Sequence, residues 1–139
     1  MNTDQIGFFL NLEKPPKVNY LQLHQIIIDR GSKYSVTASL VENEDDLKKF
    51  LKKLKADKHY RQASHNSFAA KFKINNKVIE LKSDDGEAGA GMIILRVIRK
   101  ANLINVVIVV TRWFGGTPLY NDRFKHIQDG TLEIIKEIS

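Results

Sequence analysis

The chain has 139 residues, 42% of them apolar, which is enough for one sizeable hydrophobic core and predicts a single domain over residues 20–139 after an extension of residues 1–19. It contains no cysteine, so disulfides and thiolate metal sites are excluded, and only carboxylate and histidine chemistry remains. The formal net charge of +6 favours an acidic partner, either nucleic acid or a negatively charged protein surface.

The N-terminal residues and the short apolar runs predict a soluble protein of the cytoplasm. Apolar runs such as residues 104–110 are far shorter than the roughly twenty residues that cross a bilayer. Asp4 stands where a signal peptide carries basic residues, and no small-residue cleavage site follows it. Pro15 and Pro16 cannot continue a helix or a central strand, so residues 1–19 are predicted to be an extension.

The first predicted elements are a β-hairpin and an amphipathic helix. Residues 25–29 and 33–41 are predicted as strands joined by the turn 30–32. Asn43 is predicted to cap a helix whose first turn is acidic, as the helix dipole favours. Four apolar residues then recur at helical spacing with five lysines around them: Leu47, Phe50, Leu51, Leu54 and Lys48, Lys49, Lys52, Lys53, Lys55.

A second hairpin, a second helix and a buried strand follow. Residues 67–74 alternate in polarity and are predicted to pair with 77–81 through the turn 75–76, because asparagine tolerates positive φ. A helix is predicted over residues 87–102. The run 105–111 is apolar on both faces, as expected of a strand in the middle of a sheet.

The last predicted helix is capped by Asn121 or Asp122. Its apolar stripe is expected to face the core and comprises Phe124, Ile127, Thr131, Ile134, Ile135 and Ile138. His126 is expected to face away from this stripe. Together, the elements predict an α+β fold, a two-layer sandwich in which the helices pack on one face of a mixed or antiparallel sheet.

The densest polar segment, residues 83–91, holds Asp84, Asp85 and Glu87 between a strand and a helix. Three carboxylates stand where a glycine-rich loop would place a phosphate, so direct phosphate binding by this loop is disfavoured unless a divalent ion intervenes. With His65, these carboxylates could bind a ligand or a hard metal ion, or act as acid and base. Acidic residues at a helix start are also ordinary capping partners, and we favour this structural interpretation.

Arg112 and Trp113 follow the buried strand, and loops at strand ends commonly carry function. Because Trp and Arg are enriched at interface hot spots, both residues are candidates for binding a partner. The alternative is that Trp113 and Phe114 close the end of the core. Three side chains of the last helix complete the predicted partner-binding set: Arg123, Lys125 and His126.

Four linked motifs resemble the IMPACT family, including its bacterial YigZ relatives. They are residues 63–69 (ASHNSFA), 84–87 (DDGE), 106–116 (VVIVVTRWFGG) and 122–127 (DRFKHI), and the resemblance extends from about Asp29 to the C-terminus. The last motif is similar to the eukaryotic branch, although no RWD domain precedes it in this sequence. The segment Leu119-Tyr120-Asn121 also replaces the usual Leu-Gly-Pro, and Ala88-Gly89-Ala90-Gly91-Met92 departs from the family pattern after the acidic motif.

The resemblance implies a fold like the second domain of ribosomal protein S-five, with helices on one face of a sheet. It also implies a non-enzymatic regulator of translation initiation without a cofactor. Such a regulator binds the large ribosome-associated activator of the general-control kinase and so restrains phosphorylation of initiation factor two. Two alternatives stay open: a protein that binds RNA or the ribosome, and a metal-assisted hydrolase that uses His65, Asp84, Asp85 and Glu87.

Overall fold

Five strands and four helices make up residues 12–139, the part of the chain that the computed structural model describes. In chain order they are β1 (Tyr20–Asp29), β2 (Ser32–Leu40), α1 (Glu44–Ala56), α2 (Lys58–Arg61), β3 (His65–Ile74), β4 (Lys77–Ser83), α3 (Ala90–Lys100), β5 (Val106–Trp113) and α4 (Asp122–Ile138). The strands form one sheet in the order β1-β2-β5-β3-β4, and every neighbouring pair is antiparallel. The predicted α+β class is confirmed.

Two short sequence signals give the local structure that they predict. Asn75 and Asn76 both have positive φ, 50° and 66°, and this tight turn lets β3 pair with β4 as a hairpin. Asn43 caps α1, because its side-chain oxygen accepts a hydrogen bond from the Asp46 amide at 2.8 Å. Asn121 also stands at the start of its helix, but its side chain makes no capping bond.

The helices pack on both faces of the sheet, which corrects the prediction that they share one face. α3 and α4 cover the face that carries Val106, Ile108 and Val110. α1 covers the opposite face, where its apolar residues pack with Val107 and Val109. Successive residues of a strand point to opposite faces, so a central strand that is apolar on both sides needs cover on both sides.

The described part of the predicted extension, residues 12–19, runs beside the end of α3. The Lys14 amide donates to the Asn102 carbonyl at 3.1 Å, and the Ile104 amide donates to the Lys14 carbonyl at 3.0 Å. The prediction that rests on Asp4 lies outside the described residues. Within residues 12–139, every helix is too short or too polar to cross a lipid bilayer.

Candidate functional site at one end of the sheet

The register of the sheet brings three polar side chains into one row. Arg112 of β5 lies directly opposite Tyr34 of β2 on one side and His65 of β3 on the other. Residues that lie opposite each other in neighbouring strands share a face of the sheet. β5 ends at Trp113, two residues beyond the predicted end at Thr111, so Arg112 lies within the sheet.

A cleft with a volume of about 370 Å³ opens above this row. The loop between β4 and α3, residues 84–89, which we call the acidic loop, contributes to its lining together with the end of β5 and the start of α4. Its polar, charged and aromatic lining residues are His65, Glu87, Arg112, Phe114, Tyr120 and Arg123. We refer to this feature as the cleft.

Arg112 and Glu87 form a buried ion pair in the lining of the cleft. Nη1 of Arg112 lies 2.8 Å from Oε1 and 3.2 Å from Oε2 of Glu87, and the two residues are 6% and 2% exposed. Nη2 of Arg112 also donates to the Ser32 hydroxyl at 3.3 Å. Arg112 therefore ties the acidic loop to the sheet, and its predicted role in binding a partner stays a prediction.

Asp84 shapes the backbone that leads into α3. Its two carboxylate oxygens accept hydrogen bonds from the Gly89 amide at 3.0 Å and the Gly91 amide at 2.8 Å. These bonds hold the pKa of Asp84 below its ordinary value, because they favour the ionised carboxylate. They also explain why α3 begins at Ala90 instead of the predicted Glu87: the loop before it is held as a cap.

Asp85 and His65 connect the acidic loop to β3. The Asp85 carboxylate accepts from the Asn66 amide at 2.7 Å, and the Asp85 carbonyl accepts from Nδ1 of His65 at 2.9 Å. Nε2 of His65 lies 3.1 Å from Oε2 of Glu87. A backbone carbonyl and an ionised carboxylate can only accept hydrogen bonds. His65 can therefore bond to both Asp85 and Glu87 only if both ring nitrogens carry a proton or if the Glu87 carboxyl group carries one.

The four residues predicted as a ligand or metal pocket thus lie close together, but every acidic side chain among them already bonds to the protein. Among residues 12–139, no group of three or more His, Asp or Glu side chains is arranged to hold a metal ion. The bonding of the carboxylates supports the structural interpretation of the acidic loop.

Trp113 lies on the other face of the sheet. Its Nε1 donates to the His59 carbonyl at 3.0 Å, and its ring stacks on the His59 ring with centroids 4.4 Å apart. The ring also meets Tyr60 edge-on at 5.0 Å. Since successive strand residues point to opposite faces, Trp113 and Arg112 project from opposite sides of the sheet, and the role predicted for Trp113 in binding a partner stays a prediction.

His126 faces the sheet, so the prediction that it faces away is wrong. Its Nε2 lies 2.7 Å from Oδ2 of Asp29, its ring centroid lies 5.3 Å from that of Tyr34, and its side chain is only 16% exposed. The reason is that α4 packs against both β1 and β2, so its buried face extends beyond the predicted apolar stripe to His126. Lys125, in contrast, is 76% exposed and lies 3.4 Å from Asp129.

The contact between His126 and Asp29 gives a testable dependence of stability on pH. Hydrogen bonds from Arg30 and His126 lower the pKa of Asp29 from 3.8 to about 2. Because the folded pKa lies below the unfolded one, the stability that this carboxylate contributes is present above pH 3.8 and is lost as the pH falls toward 2. We expect thermal melts of Asp29→Asn to show a smaller loss of Tm across this window than the wild type. An unchanged acid dependence would contradict the assignment.

Sequence reasoning missed two residues of the site, Tyr34 and Tyr120. Tyr34 is buried beside Arg112, and its only sequence signal is a hydroxyl within an otherwise apolar stripe of β2. Tyr120 is 76% exposed next to the cleft, and it stands in the segment where this sequence departs from the family pattern. That departure was the one signal that pointed to it.

The fold and the cleft define an α+β domain that carries a polar cleft at one end of an antiparallel sheet. Residues 30–135 match the family model of the Impact N-terminal domain. The chain belongs to the IMPACT family.

Two relatives and one solved structure illustrate this similarity. The chain is 38% identical to Protein IMPACT of Danio rerio over 111 residues, which cover 78% of this chain and 35% of that protein. It is 30% identical to the IMPACT family member YDL177C of Saccharomyces cerevisiae, in an alignment that covers 81% of this chain and 88% of that protein. The two-domain translational regulator Yih1 superposes with a TM-score of 0.54 at 33% identity, over 90% of this chain and 45% of that chain. The chain spans about a third of the length of the vertebrate IMPACT proteins that it matches.

Proposed function

We propose that this chain regulates translation in the cytoplasm by binding a protein partner, without catalysis of its own. Membership of the IMPACT family and the similarity to Yih1, which is described as a translational regulator, support this proposal. By the family resemblance, the partner is the large ribosome-associated activator of the general-control kinase. Binding this activator would restrain phosphorylation of initiation factor two.

The observation that carries the proposal is an exposed aromatic and basic rim beside the cleft. Phe114 and Tyr120 are 51% and 76% exposed, which is unusual for large aromatic side chains on one small area of surface. Arg123 lines the same cleft, and Lys125 follows it on α4. Tyr and Arg are enriched at interface hot spots, and two cations suit an acidic partner surface. We call Phe114, Tyr120, Arg123 and Lys125 the partner rim.

The absence of catalysis is supported by the bonding of the acidic residues. A general base has to reach a proton of the substrate. The carboxylates of Asp84 and Asp85 instead accept hydrogen bonds from backbone amides, and the Glu87 carboxylate accepts one from the Arg112 guanidinium. These side chains shape the cleft and hold its wall in place. Phe114 and Tyr120 of the partner rim are exposed and can contact another molecule.

The partner rim is tested by the double variant Tyr120→Ala with Lys125→Glu. Both side chains are largely exposed, so we expect the unfolding free energy to change by no more than about 0.5 kcal/mol. Loss of an aromatic anchor and reversal of a charge should weaken binding to the kinase activator by about tenfold or more, equivalent to about 1.4 kcal/mol. Quantitative capture of the purified activator on immobilised protein measures this change.

The matched control is Lys77→Glu, a charge reversal in the turn between β3 and β4. Lys77 is exposed and lies at the opposite end of the sheet from the cleft, because β3 runs from His65 in the cleft to this turn. It should capture the activator like the wild type. Equal capture by the control and the rim variant would show that the partner rim does not bind the activator.

A second candidate function, RNA or ribosome binding, is favoured by the outer surface of α1. Five lysines are exposed there, and within residues 12–139 none of them lies in an ion pair: Lys48, Lys49, Lys52, Lys53 and Lys55. Binding of this kind releases counterions, so affinity for RNA would fall steeply as the salt concentration rises. It would also depend on the lysines of α1 and not on the partner rim.

A further inference from the structure

Unpaired polar atoms are concentrated around the cleft. Within residues 12–139, the buried side-chain nitrogen and oxygen atoms without a hydrogen-bond partner are Tyr34 Oη, Arg112 Nε and Arg123 Nε. Arg112 and Arg123 line the cleft, and the Arg112 guanidinium lies 5.5 Å from the centre of the Tyr34 ring. A buried donor without a partner costs about 1–3 kcal/mol, so two such atoms in the cleft lining and a third on a neighbouring residue are unusual for a region that serves only packing.

All three atoms are hydrogen-bond donors at neutral pH. The two Nε atoms belong to guanidinium groups, which stay protonated in proteins. Burial raises the pKa of Tyr34 to about 12, so its hydroxyl also keeps its proton. This part of the molecule is therefore rich in donors and suits an acceptor, such as the oxygen atoms of a phosphate.

The net charge of the cleft lining also favours the binding of an anion. Its charged lining residues are Arg112, Arg123 and Glu87, and Glu87 is neutralised by the Arg112 ion pair. Within the described residues, no carboxylate lies within ion-pair distance of Arg123. The neighbouring carboxylate of Asp122 is paired with Arg30 instead. Arg123 thus contributes a positive charge that nothing in the cleft compensates.

The carboxylates of the acidic loop do not oppose an anion in the way that the sequence suggested. Asp84 and Asp85 are held by backbone amides, and neither residue lines the cleft. The loop contributes only Gly86 and Glu87 to the lining, and the Glu87 carboxylate is paired with Arg112. The cationic side is formed by β5 and α4.

Two aromatic rings flank the same cleft. Phe114 and Tyr120 line it and are both exposed, so each offers a ring face or edge to a bound molecule. Stacking of a base on an aromatic side chain is worth about 1–3 kcal/mol and is a recurrent way to bind nucleotides beside a cationic groove. The volume of about 370 Å³ lies within the range of small-molecule sites, about 300–1,000 Å³.

We propose that the cleft binds a nucleoside monophosphate, with its phosphate on Arg123 beside Arg112 and its base against Phe114 or Tyr120. The inference concerns the chain alone and needs no protein partner, but its site shares Phe114, Tyr120 and Arg123 with the partner rim. The ligand would lie within the cleft, while Lys125 of the partner rim lies outside its lining.

The test is a titration of the purified 139-residue chain with AMP, inorganic phosphate and adenosine, followed by calorimetry and by NMR chemical shifts. We expect AMP to bind saturably, and phosphate or adenosine to bind about tenfold more weakly, because each probe makes only one of the two contacts. Arg123→Gln should weaken AMP by about tenfold, which is a loss of about 1.4 kcal/mol. Phe114→Ala with Tyr120→Ala should weaken AMP but leave phosphate unchanged.

Two controls make the outcome decisive. Lys77→Gln removes one positive charge at the far end of the sheet and should bind AMP like the wild type. Lys125→Glu changes the one residue of the partner rim that lies outside the cleft lining, so it should also bind AMP like the wild type. The proposal is overturned if AMP causes no saturable shift of cleft residues, or if Arg123→Gln binds AMP like the wild type while its Tm is preserved. Short single-stranded RNA that binds about ten times more tightly than AMP would replace the mononucleotide by an RNA site.

Discussion

Glu87→Gln is expected to destabilise the fold by about 3–5 kcal/mol, because it removes one partner of a buried ion pair and leaves the Arg112 charge without its counterion. The substitution preserves the shape of the side chain, so packing changes little. The Arg112 and Glu87 residues are 6% and 2% exposed, and the pair joins the acidic loop to the centre of the sheet. Urea unfolding followed by circular dichroism measures the change.

The same substitution at Glu80 is the matched control. Glu80 forms two hydrogen bonds with Arg99, at 2.8 and 2.6 Å, but the Arg99 side chain is 48% exposed. Breaking an exposed pair of this kind costs about 1 kcal/mol or less. If Glu87→Gln were no more destabilising than Glu80→Gln, burial of the Arg112 pair would not be what holds the acidic loop in place.

Gly115→Ala is expected to cost about 2 kcal/mol or more, at the upper end of the usual range for overpacking. A Cβ atom at this position would lie 2.0 Å from the carbonyl carbon and 2.3 Å from the carbonyl oxygen of Gly31. These are backbone atoms, so the clash is relieved only by moving the turn before β2 away from the end of β5. Thermal or urea unfolding of the variant measures the cost.

Gly116→Ala separates the clash from the loss of glycine itself. Gly116 has φ of +90°, and a Cβ there would meet nothing within 4 Å. Its cost should be limited to the strain of the left-handed conformation, about 1 kcal/mol. A larger cost for Gly116→Ala than for Gly115→Ala would contradict the close approach of the two turns.

Local signals predicted the elements of the fold well. The cap at Asn43, the turn at Asn75 and Asn76 and the central strand all depend on a few adjacent residues, and the structure confirms them. The apolar residues on both faces of β5 also indicate helices on both faces of the sheet. The prediction that all helices pack on one face did not take this pattern into account.

The candidate site was harder to predict because it depends on register. Arg112 meets Tyr34 and His65 only through strand pairing, and it meets Glu87 only through the path of the acidic loop. These residues are far apart in the sequence, so no pattern of spacing predicts their contacts. The outward orientation predicted for His126 failed for a related reason, since it depends on how α4 packs against β1 and β2, which the apolar stripe of the helix does not show.

We propose that the chain acts by binding a protein of the translation apparatus. The most direct measurement is capture of partners by the tagged protein from an extract of its own cells, with and without nuclease, followed by identification of the retained proteins and RNA. We expect the activator of the general-control kinase to be retained after nuclease treatment. Partners that disappear with nuclease would contradict direct protein binding and would favour the RNA-binding alternative.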